Sequence, residues 1–260
     1  MNTQTQKYNE HTGARALCIP VMSKALPFFF AMGLAFVMSG QPCSAKPLLD
    51  ESFDKPLLKT LWTFTGTPRT SEGRLELNAK TEAPSGGINC GISNDHFGSD
   101  LNFFKNDVEM VFTDLNILTD VAPENSIFIF AILSDANAKS EIDAKSYVKF
   151  RLTANGQLLV VGPQTADNGT RTERGFINLT VTLPIKKLAV KFNPSGMQLS
   201  VEDAERSQNA TAEWKGRLDA ADWSEASQPQ LFLKAVRRQA GTGGCTVLLD
   251  NLQISSEATH

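Results

Sequence analysis

Tyr147 to Gly162 reads YVKFRLTANGQLLVVG, and this stretch decides the fold class. In its first arm Val148, Phe150 and Leu152 alternate with Tyr147, Lys149, Arg151 and Thr153. A period of two puts apolar side chains on one face of a strand and polar ones on the other. Asn155-Gly156 then predicts a type I′ turn, whose two central positions both need positive φ, and Leu158 to Val161 carry the chain back. The stretch is therefore a β-hairpin of an antiparallel sheet. Its polar set, Tyr147, Lys149, Arg151 and Thr153, is expected to face water.

Outward from this hairpin the same grammar recurs. Val108, Met110 and Phe112 alternate within DVEMVFTDL; Ile177, Leu179, Val181 and Leu183, then Leu188, Val190 and Phe192, do so again. Asn193-Pro194-Ser195-Gly196 predicts a second hairpin leading into Met197, Leu199 and Val201. Ser126 to Leu133, SIFIFAIL, is apolar on both faces, as a central strand covered from both sides must be. Short strands are also predicted at 48–53, 61–65, 74–77, 86–92, 230–236 and 246–254. Only Leu218 to Ala226, with Asp219 as cap, reads as a helix. Many short strands with hardly a helix predict an all-β fold of two packed antiparallel sheets.

The N-terminal region has a different character. Ala25 to Gly40 is an apolar run preceded by Lys24 and followed by Cys43-Ser44-Ala45, small residues suited to signal-peptidase cleavage. Residues 1–45 are read as a signal peptide, with Met22 a candidate start in place of Met1. The domain is then residues 46–260, exported to a periplasmic or extracellular location, without stable membrane insertion once the signal is removed. Loss of Lys7, Arg15, Lys24 and Glu10 takes the net charge from −3 to −5, which argues against a nucleic-acid partner. Cys90 and Cys245 are the cysteines left after cleavage, and in an oxidising compartment they are expected to form a disulfide.

The order of these pieces resembles the concanavalin A-like lectin/glucanase superfamily, the jelly-roll group that includes laminin-G-like modules. The matching stretches are LLDESFD, LWTFTGT, EGRLEL, IFAILSD, the hairpin YVKFRLTANGQLLV and the closing strand VLLDNLQI. The resemblance implies a jelly-roll sandwich that binds or cleaves polysaccharide on its concave sheet. It also implies a structural calcium, with Asp250 of the closing strand as a ligand. The alternative for Asp250 is a hydrogen bond to a neighbouring loop.

Catalysis has weak candidates in Glu141 and Asp143, because Ser140-Glu-Ile-Asp-Ala-Lys145 looks like the Glu-x-Asp motif of family 16 glycoside hydrolases. A retaining glycosidase needs a nucleophile and a proton donor on facing carboxyls. Lys145 and Ser146 stand where the second glutamate belongs. His96 has no metal or triad spacing. For binding, Tyr147, Lys149 and Arg151 combine a ring that can stack on sugar with cations that can pair with a carboxylate or sulfate. The expected function is therefore an exported, non-catalytic lectin-like module for a polysaccharide, acidic ones included. A glycoside hydrolase or polysaccharide lyase of the same fold and an envelope interaction module are the alternatives.

Overall fold

Alternating side chains build two antiparallel sheets. The computed structural model describes residues 45–81, 88–135, 137, 138, 141, 143–165, 170–223, 228–238 and 243–259, all within one compact unit, Pro42–His260. The expected signal segment lies outside the described residues except for Ala45. Among the described residues there are strands and short 3₁₀ turns and no α-helix.

Numbered in chain order, one sheet contains β1 (Lys46–Glu51), β3 (Arg69–Ser71), β4 (Arg74–Thr81), β6 (Asn106–Thr119), β11 (Ile185–Asn193), β12 (Gly196–Glu202), β13 (Ser207–Glu213), β15 (Gly243–Leu249) and β16 (Asn251–Ala258). Its order is β13-β12-β11-β6-β15-β4-β3, with β16 also beside β6 and β1 on the far side of β16. The other contains β2 (Thr63–Thr65), β5 (Ile88–Asn94), β7 (Ser126–Leu133), β8 (Tyr147–Thr153), β9 (Gln157–Thr165), β10 (Arg171–Thr180) and β14 (Gln230–Arg237), ordered β10-β9-β8-β7-β14-β5-β2. The central place of β7, between β8 and β14, explains its unbroken apolar sequence.

The inward faces meet in one core that includes Leu77, Met110, Phe112 and Val247 from the first sheet and Ile92, Phe128, Phe130, Phe150 and Leu233 from the second. Aromatic rings join the layers. Phe112 lies 4.7 Å from Phe130, which stacks on Phe150 at 4.0 Å and 10°, and Phe150 meets Phe192 edge-on at 6.1 Å. Each such ring, fully removed from water, contributes about 1.5–3 kcal/mol. Trp62, Trp214 and Trp223 are buried here too, so none is an exposed shelf for sugar.

The turns differ from expectation in an instructive way. At the organising hairpin the Gly156 N–H donates to the Thr153 carbonyl at 2.9 Å, and only Gly156 has positive φ (85°), not Asn155. The connection is thus a three-residue loop ending in a left-handed glycine rather than a type I′ turn. Gly156 is required for a second reason: a Cβ there would fall 2.0 Å from the Val181 carbonyl oxygen. Type I′ geometry occurs instead at Glu72-Gly73 between β3 and β4, with φ of 52° and 71° and Ser71 paired to Arg74. The Asn193-to-Gly196 turn is as read, with Asn193 Oδ1 accepting from the Ser195 and Gly196 N–H groups. Of the expected helix, Ala220–Trp223 forms a 3₁₀ turn, with Asp219 Oδ1 accepting from the Ala221 N–H.

The disulfide expectation is also corrected, since Cys90 and Cys245 are separate buried thiols. They lie in opposite sheets with different neighbours: Asn78 and Thr67 backbone at Cys90, Ile127 backbone and the Ser126 hydroxyl at Cys245. Burial raises both thiols, Cys245 to about 11.

Candidate functional site

The outer face of the seven-stranded sheet gathers the residues singled out from sequence. Tyr147, Lys149, Arg151 and Thr153 of β8 pair in register with Leu133, Ala131, Ile129 and Ile127 of β7. Phe232 and Lys234 lie one strand further on, opposite Ala131 and Ile129. The outward residues of β7 are thus apolar and need a cover. The connection from β7 to β8 supplies it. Its Ala138 and Ala144 pack with Ala131, Leu133, Tyr147 and Phe232 in a cluster separate from the sandwich core. The Ser134 and Ser146 ends of the connection are tied by the Ser134 N–H donating to the Ser146 carbonyl and the Ser146 N–H donating to Ser134 Oγ, each at 2.9 Å.

The expected open polar strip is therefore corrected. Tyr147 is 4% exposed, Lys149 5% and Thr153 6%, while Arg151 is half-buried. Lys149 is the centre of an ion-pair chain. Its ammonium donates to Glu173 of β10 and lies 3.6 Å from Glu141 Oε1, and Lys234 donates to Glu141 Oε2 at 2.7 Å. Lys149 and the Arg171 guanidinium each lie 5.6 Å from the centre of the Tyr147 ring.

Electrostatics follow from this geometry. Burial would raise the Glu141 carboxyl, but Lys234, which also hydrogen-bonds to it, and Lys149 outweigh that and hold it below its ordinary value. Burial first, and the Glu173 carboxylate second, push the Tyr147 phenol up to about 12. Glu141 and Glu173 thus reach one ammonium from two elements, a convergence of two carboxylates on one face. A general acid, however, must hold a proton at its working pH. Glu141 is placed to stay ionised. Asp143 stands exposed on the connection. Glu173 escapes a sequence reading because RTERG is polar throughout and its glutamate has no motif around it.

The remaining expected site residues lie elsewhere. Asp250 sits at the joint of β15 and β16, 3.8 Å from Arg74 Nε, with its side chain 44% exposed. Among the described residues no group of three or more histidine, cysteine, aspartate or glutamate side chains is placed to hold a metal. A lone, half-exposed carboxylate already facing a guanidinium does not fit calcium, which takes six to eight oxygen ligands. His96 is on the surface beside Asp95, at 3.6 Å.

No family model and no curated protein matches the chain. Solved structures do match. A laminarinase from Rhodothermus marinus aligns over 84% of this chain and 99% of its own, with a TM-score of 0.54 at 11% identity. An endo-1,3-beta-glucanase from Streptomyces sioyaensis covers 84% and 98%, with a TM-score of 0.52 at 13% identity. The lectin UEA-II, in complex with galactose, covers 82% and 100%, with a TM-score of 0.54 at 10% identity. The chain has the concanavalin A-like jelly-roll fold. At such identities the likeness concerns architecture alone, and glucanases and lectins share it equally.

Proposed function

We propose that the protein is an exported, non-catalytic glycan-binding module of the periplasm or extracellular space. The observation that carries the non-catalytic reading is geometric: each carboxylate oxygen of Glu141 faces an ammonium, Oε2 that of Lys234 and Oε1 that of Lys149, so the group is engaged within the face and has no proton to donate. The glycan reading is supported by the fold's company of lectins and glucanases. On the outer face of the seven-stranded sheet the contact is the half-buried Arg151, whose guanidinium suits the carboxylate or sulfate of an acidic polysaccharide. Tyr147 and Lys149, further along the same face of β8, are buried and are not part of the contact.

Retention on an immobilised acidic polysaccharide tests this reading. It is expected to weaken with salt and with Arg151→Ala. Retention that ignores both removes this surface from the function. A second reading, glycoside hydrolysis with Glu141 and Glu173 as the carboxyl pair, is favoured by their convergence on Lys149. Release of reducing ends from a glucan, abolished by Glu141→Gln, would establish that reading in place of the first.

A further inference from the structure

The outer face of the nine-stranded sheet is not flat. Three depressions of about 390, 280 and 180 Å³ adjoin one another on it. The first two share Glu109 and Ser255, and the last two share Lys191 and Gln198, so they form one groove across β1, β16, β6, β11, β12 and β13. With strands about 4.8 Å apart, six of them span roughly 24 Å. The floor is low because Ala189, Ser200 and Ser255 are small, and β1 shifts register between Pro47 and Leu49.

The chemistry of the lining selects the occupant. Gln198, Asn209, Thr211, Gln253 and the two serines offer both donors and acceptors at regular strand spacing. Four carboxylates, Asp50, Asp107, Glu109 and Glu257, face one ammonium, Lys191, which lies 3.6 Å from Glu109. That balance repels an acidic chain. Protein interfaces are enriched in aromatic residues, methionine and arginine and depleted in lysine, glutamate, aspartate, serine and alanine, the reverse of this lining. A ligand that is long, uncharged and covered in hydroxyls meets all three conditions.

We infer that this groove is a binding site for a linear, uncharged polysaccharide, on the face opposite Arg151. The inference rests on the glycan-binding reading but not on the Arg151 surface. Affinity electrophoresis in gels containing a soluble neutral β-glucan, and separately a uronic-acid polymer, tests it on the processed chain. The double variant Gln198→Ala/Gln253→Ala, at two exposed positions, is expected to weaken neutral-glucan binding about tenfold, as two lost neutral hydrogen-bonding groups would. Retardation by the uronic-acid polymer, and the melting temperature, should stay as in the parent. Neutral-glucan binding that survives the double variant, or that falls only with Arg151→Ala, overturns the groove while leaving glycan binding intact. A parent chain retarded by neither polymer overturns both. A dimer in sedimentation that the double variant dissociates makes the groove a contact between copies and overturns the inference as well.

Discussion

Replacing Lys149 by methionine removes the cation shared by Glu141 and Glu173 while keeping a side chain of similar length beneath the β7–β8 connection. Deleting one partner of a buried ion pair costs about 3–5 kcal/mol. Here Glu141 keeps Lys234 at 2.7 Å, and the Glu173 side chain, 36% exposed, can turn partly to water. The expected loss is then about 2–3 kcal/mol, or roughly 4–12 °C in melting temperature for a domain of this size. Lys191→Met is the internal comparison, because Lys191 pairs with Glu109 at 3.6 Å on the open face with its side chain 62% exposed. Removing that pair should cost about 1 kcal/mol or less. Urea unfolding of both variants, read as a shift in midpoint at constant slope, gives the two costs. Equal costs would mean that Lys149 is as well solvated as Lys191, and the account of a covered face would be wrong.

A chain of residues 46–260 has Tyr147 as its one tyrosine, so its tyrosinate absorbance should titrate near 12, the raised value at this site, and a midpoint near 10 would mean an open face. The Glu141 pKa is lowered by folding, so its contribution to stability is complete above the ordinary value of 4.5 and is lost as pH falls through the lower folded value. Glu141→Gln should flatten acid unfolding in that window; an unchanged profile would locate the acid sensitivity elsewhere. Thiol titration of a chain of residues 46–260 without reductant should count two groups in denaturant and almost none in the native state. A count of zero in denaturant would restore the disulfide.

The architecture is legible in the sequence because period-two alternation in β6, β8 and β11 leaves little choice of layer. The burial of the Tyr147 strip is legible too, though indirectly. SIFIFAIL demands a cover on both faces, and a strand hydrogen-bonded beside it must share whatever covers the outer one. Alternation reports which residues share a face; it does not say whether that face meets water. The β13 strand is hidden for the opposite reason. SQNATAE has hardly any apolar residue, and an edge strand needs none beyond Ala212, which is 7% exposed. The turn at Gly156 misleads because an Asn-Gly pair is compatible with two loop lengths, and contact with Val181 selects the longer. Glu173 can be found only through pairing, since its partner Lys149 is 24 residues away in sequence.

The antiparallel pairing of β1 with β16 sets Lys46 beside Ser256 and Glu51 beside Leu252. Tension applied through the two ends of the sandwich therefore pulls across this ladder rather than along it. Bonds loaded that way break in succession, like a seam opened from its corner, so β1 should peel away at low force before the aromatic interior is disturbed. A domain held at both ends would lengthen by one strand first, and its mechanical give would reside in a single segment six residues long.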